Sequence, residues 1–410
     1  MKRRVVVTGM AGFSPIGNDW ETMRGRLRGK VSGIRYLPEW EKYNGLLTRL
    51  GGTVENFELP AHYTRKNTRS MGRVGLLATR ATELALIDAG LLGDPVLGAG
   101  RTGVAYGSSV GSTPAIADFG KMLIDLDIGN LNATTYLKMM GHTTTANIAV
   151  FFQLRGRVIP SVSACTSGSQ GIGFAYEAIK YGQQDVMLAG GGEELCPTEA
   201  ALFDALYATS TRNDQPELTP RPFDRDRDGL VIGEGSCTLV LEELERAQAR
   251  GARIYAEVAG FATNADGAHI TQPNAETMQV VMRLALRDAE IEAGQIAYIS
   301  AHGTATEQGD IAESHATHAV FGANAPISSL KSYTGHTLGA CGALEAMAAI
   351  QMMRDGWFHP NLNLDHPDPR CAELDYLTGD GRQLAAEYVI SNNFAFGGVN
   401  TSLVFRRWDR

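Results

Sequence analysis

One stretch constrains this chain more than any other: Ser161-Val162-Ser163-Ala164-Cys165-Thr166-Ser167-Gly168-Ser169-Gln170-Gly171-Ile172-Gly173. The short run Arg157-Val158-Ile159-Pro160 leads into it, and a helix-like segment, Phe174–Tyr181, leads out. Small residues crowd the junction, which suits a strand that breaks sharply into a buried helix. A cysteine therefore sits near a helix N-terminus, where the dipole and free N–H groups favour its thiolate. A thiolate attacks carbonyl carbon, which points to acyl transfer through a thioester. A free cysteine is equally at home as a small buried packing residue. The rest of the chain has to decide between the two.

With 410 residues and 44% hydrophobic content, a large core is available. The 47 glycines favour tight turns and close backbone contacts. A formal charge of −8 argues against nucleic-acid binding. The five cysteines, at 165, 196, 237, 341 and 371, are odd in number and contain no C-x-x-C. That usage fits a reducing, cytoplasmic setting rather than a disulfide framework. The start, Met1-Lys-Arg-Arg-Val-Val-Val-Thr-Gly9, reads as a strand and not as a signal peptide. No apolar stretch is long enough for a membrane span.

Periodicity predicts helices over 19–27, 71–89, 243–250, 276–289, 310–321 and 339–354, with broken helix over 113–150. Short β-branched runs predict strands at 4–8, 102–106, 185–189, 238–242, 254–258, 296–301, 327–330 and 388–391. Residues 28–60 carry mixed signals. Six identities, Ile159/Ile327, Ser161/Ser329, Gly171/Gly339, Ala175/Ala343, Glu177/Glu345 and Ala178/Ala346, share one spacing of 168 residues. The expectation is an α/β layered fold of two similar halves, 1–250 carrying the cysteine and 251–410 carrying the histidines and a glycine-rich loop.

Two histidines follow strands in the second half. His302 lies in Ala301-His-Gly-Thr-Ala-Thr306, and His336 in Lys331-Ser-Tyr-Thr-Gly-His336-Thr-Leu-Gly-Ala-Cys-Gly342. Active-site loops gather at such strand ends in α/β sheets. Neutral imidazole N–H groups there would polarise a thioester carbonyl and hold a developing enolate. Hydrogen-bonded structural histidines are the competing reading. A two-histidine metal site finds no third ligand at obvious spacing, so no metal is expected.

Cys165 in Ala-Cys-Thr-Ser-Gly, His302 in His-Gly-Thr-x-Thr, and Lys331 to His336 in Lys-Ser-x-Thr-Gly-His-x-Leu-Gly-Ala together resemble the β-ketoacyl-acyl-carrier-protein synthases of the elongating classes I and II. The resemblance runs nearly end to end. It takes in Gly-Gly-Gly-Glu-Glu-Leu-Cys at 190–196, Arg221-Pro-Phe-Asp…Arg227-Asp-Gly…Gly233-Glu-Gly235, and Asn393-Phe-x-Phe-Gly-Gly-x-Asn400. It implies a thiolase-like fold, two pseudo-symmetric halves in an αβαβα five-layer arrangement, and an obligate dimer. It implies decarboxylative Claisen condensation of an acyl-enzyme thioester with malonyl-acyl-carrier protein, lengthening a fatty-acid, polyene or polyketide chain by two carbons. No bound cofactor is implied, because phosphopantetheine arrives on the acyl-carrier protein.

By the same resemblance, Cys165 accepts the acyl chain and the N–H groups of Cys165 and Phe396 form the oxyanion hole. His302 and His336 drive decarboxylation, Lys331 supports them, and Glu345 belongs to their network. Thr304 and Thr306 hydrogen-bond the phosphopantetheine arm, and Phe396 gates the pocket. Val110 and Phe203 bound the acyl chain, with ordinary core packing as the other reading of both. The gating loop departs from the family at Ala395, where Gly is usual, and at Val399, where Thr is usual. Ala restricts the backbone more than Gly, so altered gating is expected. Arg65, Lys66, Arg69 and Arg73 form a basic cluster at helical spacing in an acidic chain. It reads as a docking patch for the acidic carrier protein, or as a solvated helix face. A non-catalytic chain-length partner in a heterodimer has the same fold but lacks the cysteine, and Cys165 is present.

Overall fold

The structure is a computed structural model that describes residues 2–129 and 131–408. Its ten principal strands fall into two sets of five. The first set is β1 (Val5–Phe13), β2 (Thr102–Gly107), β3 (Val158–Pro160), β4 (Val186–Glu193) and β5 (Gly235–Glu243). The second is β6 (Ala256–Ala265), β7 (Ile296–Ser300), β8 (Pro326–Ser328), β9 (Tyr388–Ala395) and β10 (Val399–Arg407). From the centre outward the first set runs β1-β5-β4-β2-β3 and the second β6-β10-β9-β7-β8. Each strand of one set thus has its counterpart in the other. The pairings match as well: antiparallel for the two innermost pairs, parallel for the two outermost. A short antiparallel contact, Val5–Val7 against Val258–Ala256, joins β1 to β6. Asp375–Tyr376 adds one more strand beyond β8.

Helices complete the layers. Outside the first set lie α1 (Arg73–Asp88) and α3 (Thr143–Phe151), with α2 (Thr113–Asp125) between them in sequence. Two helices, α4 (Ser167–Lys180) and α8 (Cys341–Asp355), pack on each other between the sheets. The helix α5 (Pro197–Asp204) follows β4, while α6 (Ala275–Asp288) and α7 (Glu307–Phe321) cover the second set. The result is αβαβα, the layered arrangement expected of two similar halves.

Local chemistry explains the main elements. In α1 the buried residues Val74, Leu77, Ala78, Ala81, Ala85 and Leu86 recur at helical spacing, and Gly90 at φ 68° follows the end of the helix. Trp20–Arg28 is a helix capped by Asp19, whose side chain accepts from Thr22 N–H. Residues 113–150 form helix in pieces. The α4–α8 contact is too close for side chains at two points. A Cβ on Gly168 would lie 2.9 Å from Ala343 N, and one on Gly342 2.8 Å from Ser169 N. None of the described helices is long and apolar enough to cross a membrane.

The internal repeat is real, but its register changes partway. Strands β3 and β8 start 168 residues apart, at 158 and 326. Helices α4 and α8 start 174 apart, at 167 and 341. Each is entered through a 3₁₀ turn whose first residue has positive φ, Ala164 at 51° and Leu338 at 45°. The equivalence therefore sets Cys165 against Gly339, and Gly171/Gly339, Ala175/Ala343, Glu177/Glu345 and Ala178/Ala346 stand six residues out of register. The extra residues lie between β8 and α8, in the segment that carries Lys331 and His336.

Candidate active site

The turn at Ala164 puts Cys165 at the entrance to α4, between the two halves. Its side chain is 5% exposed and lines a cavity of about 460 Å³ together with Phe203, His302, Thr304, Thr306, His336 and Phe396. His302 follows β7 and His336 follows the short helix Lys331–Thr334. Their rings stand edge to face with centroids 5.2 Å apart. His336 Nε2 is 3.0 Å from Cys165 Sγ.

Hydrogen bonds set which nitrogen carries the proton on each ring. Leu338 N–H donates to His336 Nδ1 at 3.2 Å, so the ring proton of neutral His336 is on Nε2, facing the sulfur. Lys331 Nζ donates to His302 Nδ1 at 3.1 Å, and Asn393 Nδ2 approaches the same atom at 3.4 Å. The proton of neutral His302 is therefore also on Nε2. Burial, then the Lys331 charge, holds both histidines well below the ordinary imidazole range. Two neutral N–H donors thus serve one pocket. The Cys165, His302 and His336 ligand atoms lie within 4.8 Å of one another, a spacing that also suits a metal ion. The Lys331 ammonium beside His302 opposes a cation there.

Lys331 and Glu345 form a buried ion pair, with side chains 1% and 2% exposed. Asn393 Nδ2 donates to the other Glu345 oxygen at 2.7 Å. The loop after β7 is held from behind. Glu313 accepts from His302 N–H at 2.7 Å and Gly303 N–H at 2.6 Å. Asp310 accepts from Phe223 N–H and Ala305 N–H, while Arg227 donates to Thr306 O and to Asp368. Thr304 and Thr306 hydroxyls bond each other at 2.8 Å at the cavity wall.

Cys165 corrects one expectation. Burial pushes its thiol up to about 11, against the Lys331 charge and the N–H groups of Phe396 and Cys165 itself, which favour the thiolate. The helix start alone does not leave a standing thiolate, because desolvation outweighs it. Those two N–H groups act on the sulfur in the sense that favours negative charge, which suits them to a tetrahedral oxyanion beside it.

Other expected residues divide. Phe203 and Phe396 line the cavity and pack on each other at 5.3 Å. Val110 is half-buried and is not among the residues lining that cavity. Ala395 ends β9 opposite Val399, in extended backbone that any residue adopts, and the positive φ values belong to Gly397 and Gly398. The basic cluster is not one helix. Arg65, Lys66 and Arg69 are exposed around the single turn Arg65–Thr68, whereas Arg73 opens α1 and pairs with Glu234. Sequence reading missed Glu313, Asp310 and Asn393 as supports. Asn393 stood inside a quoted motif; the two acids carried no local signal.

The chain matches one family over both of its halves. The N-terminal domain model of the beta-ketoacyl synthases matches residues 2–247, and the C-terminal domain model matches 255–365. The 3-oxoacyl-[acyl-carrier-protein] synthase 2 of Vibrio cholerae is 38% identical over 414 residues, 99% of each chain. Among solved structures, a beta-ketoacyl synthase from Burkholderia phymatum superposes with a TM-score of 0.98 at 56% identity over the full length of both chains. The ishigamide ketosynthase/chain length factor gives 0.91 at 32%, again over the full length of both. Motifs, fold and matches over both halves lead to one conclusion: this chain belongs to the beta-ketoacyl synthase family.

Proposed function

We propose that the protein is an acyltransferase of the 3-oxoacyl-acyl-carrier-protein synthase type, with Cys165 as the acyl acceptor and His302 and His336 as the donors for decarboxylation. The observation that carries the assignment of roles is the pair of Nε2–H groups, each fixed by a donor behind its ring, on two histidines that line one cavity with Cys165.

In the first half-reaction Cys165 Sγ bonds to the acyl carbonyl carbon and the bond to the carrier thiol breaks. The cysteine proton ends on that leaving thiol. The oxyanion is held by the N–H groups of Cys165 and Phe396. In the second, a malonyl thioester on the carrier takes the vacated place. Its carboxylate leaves as CO₂ and the bonding pair passes into the thioester as an enolate. The enolate oxygen receives hydrogen bonds from His302 and His336, which are neutral and need no proton transfer to act. The enolate carbon then attacks the acyl-Cys165 carbonyl, and Cys165 leaves. Lys331 and Glu345 position His302, Thr304 and Thr306 bind the phosphopantetheine arm, and Phe396 gates the acyl chain held by Phe203.

The partner in this reading is an acyl-carrier protein, docked through Arg65, Lys66 and Arg69, in the cytoplasm. The active form is a dimer, with itself or with a related ketosynthase-like chain. Two exposed features support it. Edge strand β3 leaves Val158 48% exposed beside Val150 at 78%, and the end of α2 exposes Ile124 at 82% and Leu126 at 89%.

Two measurements on the purified protein test the proposal. Cys165→Ala removes acylation, read by intact mass, and with it all condensation. His302→Ala and His336→Ala lose decarboxylation of the malonyl carrier about a hundredfold while Cys165 is still acylated. Normal decarboxylation with failed acylation in either histidine variant would reverse the roles assigned.

A further inference from the structure

Glu199 lies on α5 and is 7% exposed, yet neither of its carboxyl oxygens has a hydrogen-bond partner among the described residues. Glu193 at the end of β4 is fully buried, and its Oε1 is also unpartnered. The Cys196 N–H at the start of α5 faces the Glu199 carboxyl without closing a bond of ordinary geometry. A helix-capping role would use one oxygen on that N–H. It accounts neither for the second oxygen nor for Glu193 Oε1. Buried oxygens left idle are costly, and native folds keep them where something else bonds them.

Three connections set this acid pair beside the acyl route. Glu199 and Phe203 are four residues apart on α5, one above the other on the same face, and Phe203 lines the Cys165 cavity. The second oxygen of Glu193 accepts from Ser109 N–H at 2.7 Å and from Gly339 N–H at 3.1 Å. It is thus tied to the loop carrying Val110 on one side and to the turn beside the nucleophile on the other. Glu193 also acts electrostatically on both Glu199 and Cys165. The cavity open in this structure has Phe203 in its wall and does not include Glu199. Burial raises Glu193 to about 7 and Glu199 well above the ordinary carboxyl range. The pair therefore holds a proton at neutral pH and offers a donor as well as acceptors.

We propose that Glu193 and Glu199 form a polar end to the acyl site behind Phe203, and that the chain this enzyme elongates carries a hydroxyl at its far end rather than a plain alkyl terminus. A hydroxyl both donates and accepts, which matches an acid pair with three idle oxygens. This inference rests on Cys165 as the acyl acceptor.

The test uses the full-length protein and acyl-carrier protein loaded with n-acyl or ω-hydroxyacyl chains of equal length, across a series of lengths. Single-turnover acylation of Cys165 is read by intact mass. Wild type is expected to take the ω-hydroxy chain about tenfold faster or more at one length in the series. Glu199→Leu removes that preference or inverts it. Glu199→Gln, which keeps a donor, an acceptor and the helix start, retains part of it. Equal rates for the two series at every length in wild type overturn the proposal, as does a preference untouched by Glu199→Leu. Should Glu199→Leu fail to fold, the wild-type profile and Glu199→Gln still decide, since a preference unchanged in Glu199→Gln and a flat wild-type profile both count against the acid. Failure of every chain of either kind to acylate Cys165 would instead sink the underlying reading of the nucleophile, and this inference with it.

Discussion

Replacing Lys331 by Met separates what this residue does for the fold from what it does for the chemistry. Its ammonium is buried between Glu345, with which it forms an ion pair, and His302 Nδ1 at 3.1 Å. In Lys331→Met the Glu345 carboxylate keeps only the Asn393 amide, at 2.7 Å. Breaking a buried pair from one side costs about 3–5 kcal/mol, less whatever Glu345 recovers by taking up a proton. Burial already raises Glu345 above the ordinary carboxyl range, so part of that recovery is available. The double variant Lys331→Met/Glu345→Leu removes both charges and restores most of the stability, since apolar replacements of buried pairs are close to neutral. It does not restore the chemistry. Without the ammonium, the His302 proton is no longer held on Nε2, and one of two enolate donors is lost for part of the time. Loss of one such donor costs about a hundredfold to a thousandfold in rate. The removed charge also lets both histidine pKa values rise, so the acid limb of the decarboxylation profile moves to higher pH. The assay is CO₂ release from the malonyl carrier across pH, beside thermal unfolding of each variant. A double variant that unfolds like wild type and decarboxylates at the wild-type rate would refute the positioning role.

Reversing Arg65, Lys66 and Arg69 to Glu raises KM for carrier-bound substrates and leaves small thioester mimics unaffected; equal losses on both mean a folding defect. Ala395→Gly gives acylation rates and chain-length profiles that superimpose on wild type, because Ala395 sits in extended backbone and the positive-φ hinge residues are Gly397 and Gly398; a changed profile would place the hinge at Ala395. His359 makes one contribution that destabilises the fold on acidification, beginning at about pH 6.5. Burial lowers His359 to about 4, so between about 6.5 and 4 the unfolded chain binds a proton that the folded one does not, worth about 3 kcal/mol by pH 4. His359→Asn shows a shallower fall of Tm with pH, and an unchanged slope would mean that His359 titrates normally.

The turn at Cys165 was legible in sequence because a strand-to-helix break made only of small residues leaves few alternatives, and Ala164 at φ 51° is the cost of that turn. The two histidines were legible because Gly and Thr crowd the ends of β7 and of the segment before α8. What burial does to Cys165 was not, since the helix start is written locally and desolvation is set by residues from both halves. Arg73 belonged to the basic cluster by spacing alone, and its partner Glu234 lies 161 residues away. Glu313 and Asp310 look like ordinary helix acids until the chain folds the loop at 302–306 onto their oxygens. The repeat showed its strands in register and hid the six-residue offset, because Ala and Gly match by chance.

The paired turns at Ala164 and Leu338 use the same backbone shape for unlike purposes. One delivers a side chain, the sulfur of Cys165. The other delivers main chain: Leu338 N–H to His336 and Gly339 N–H to Glu193. With the N–H groups of Cys165 and Phe396, four contacts here are made by main-chain N–H groups. Replacing residues one at a time by alanine therefore leaves those amides in place and understates the site. At Gly339 the same scan errs the other way, since a methyl there would stand 2.7 Å from Ser108 Cα and would disturb the backbone rather than delete a contact. Amide-to-ester exchange at Leu338 removes that N–H while keeping every side chain, and weakens the Thr337 carbonyl that accepts from Ala340 N–H at 2.9 Å; it is the form of mutagenesis this architecture calls for.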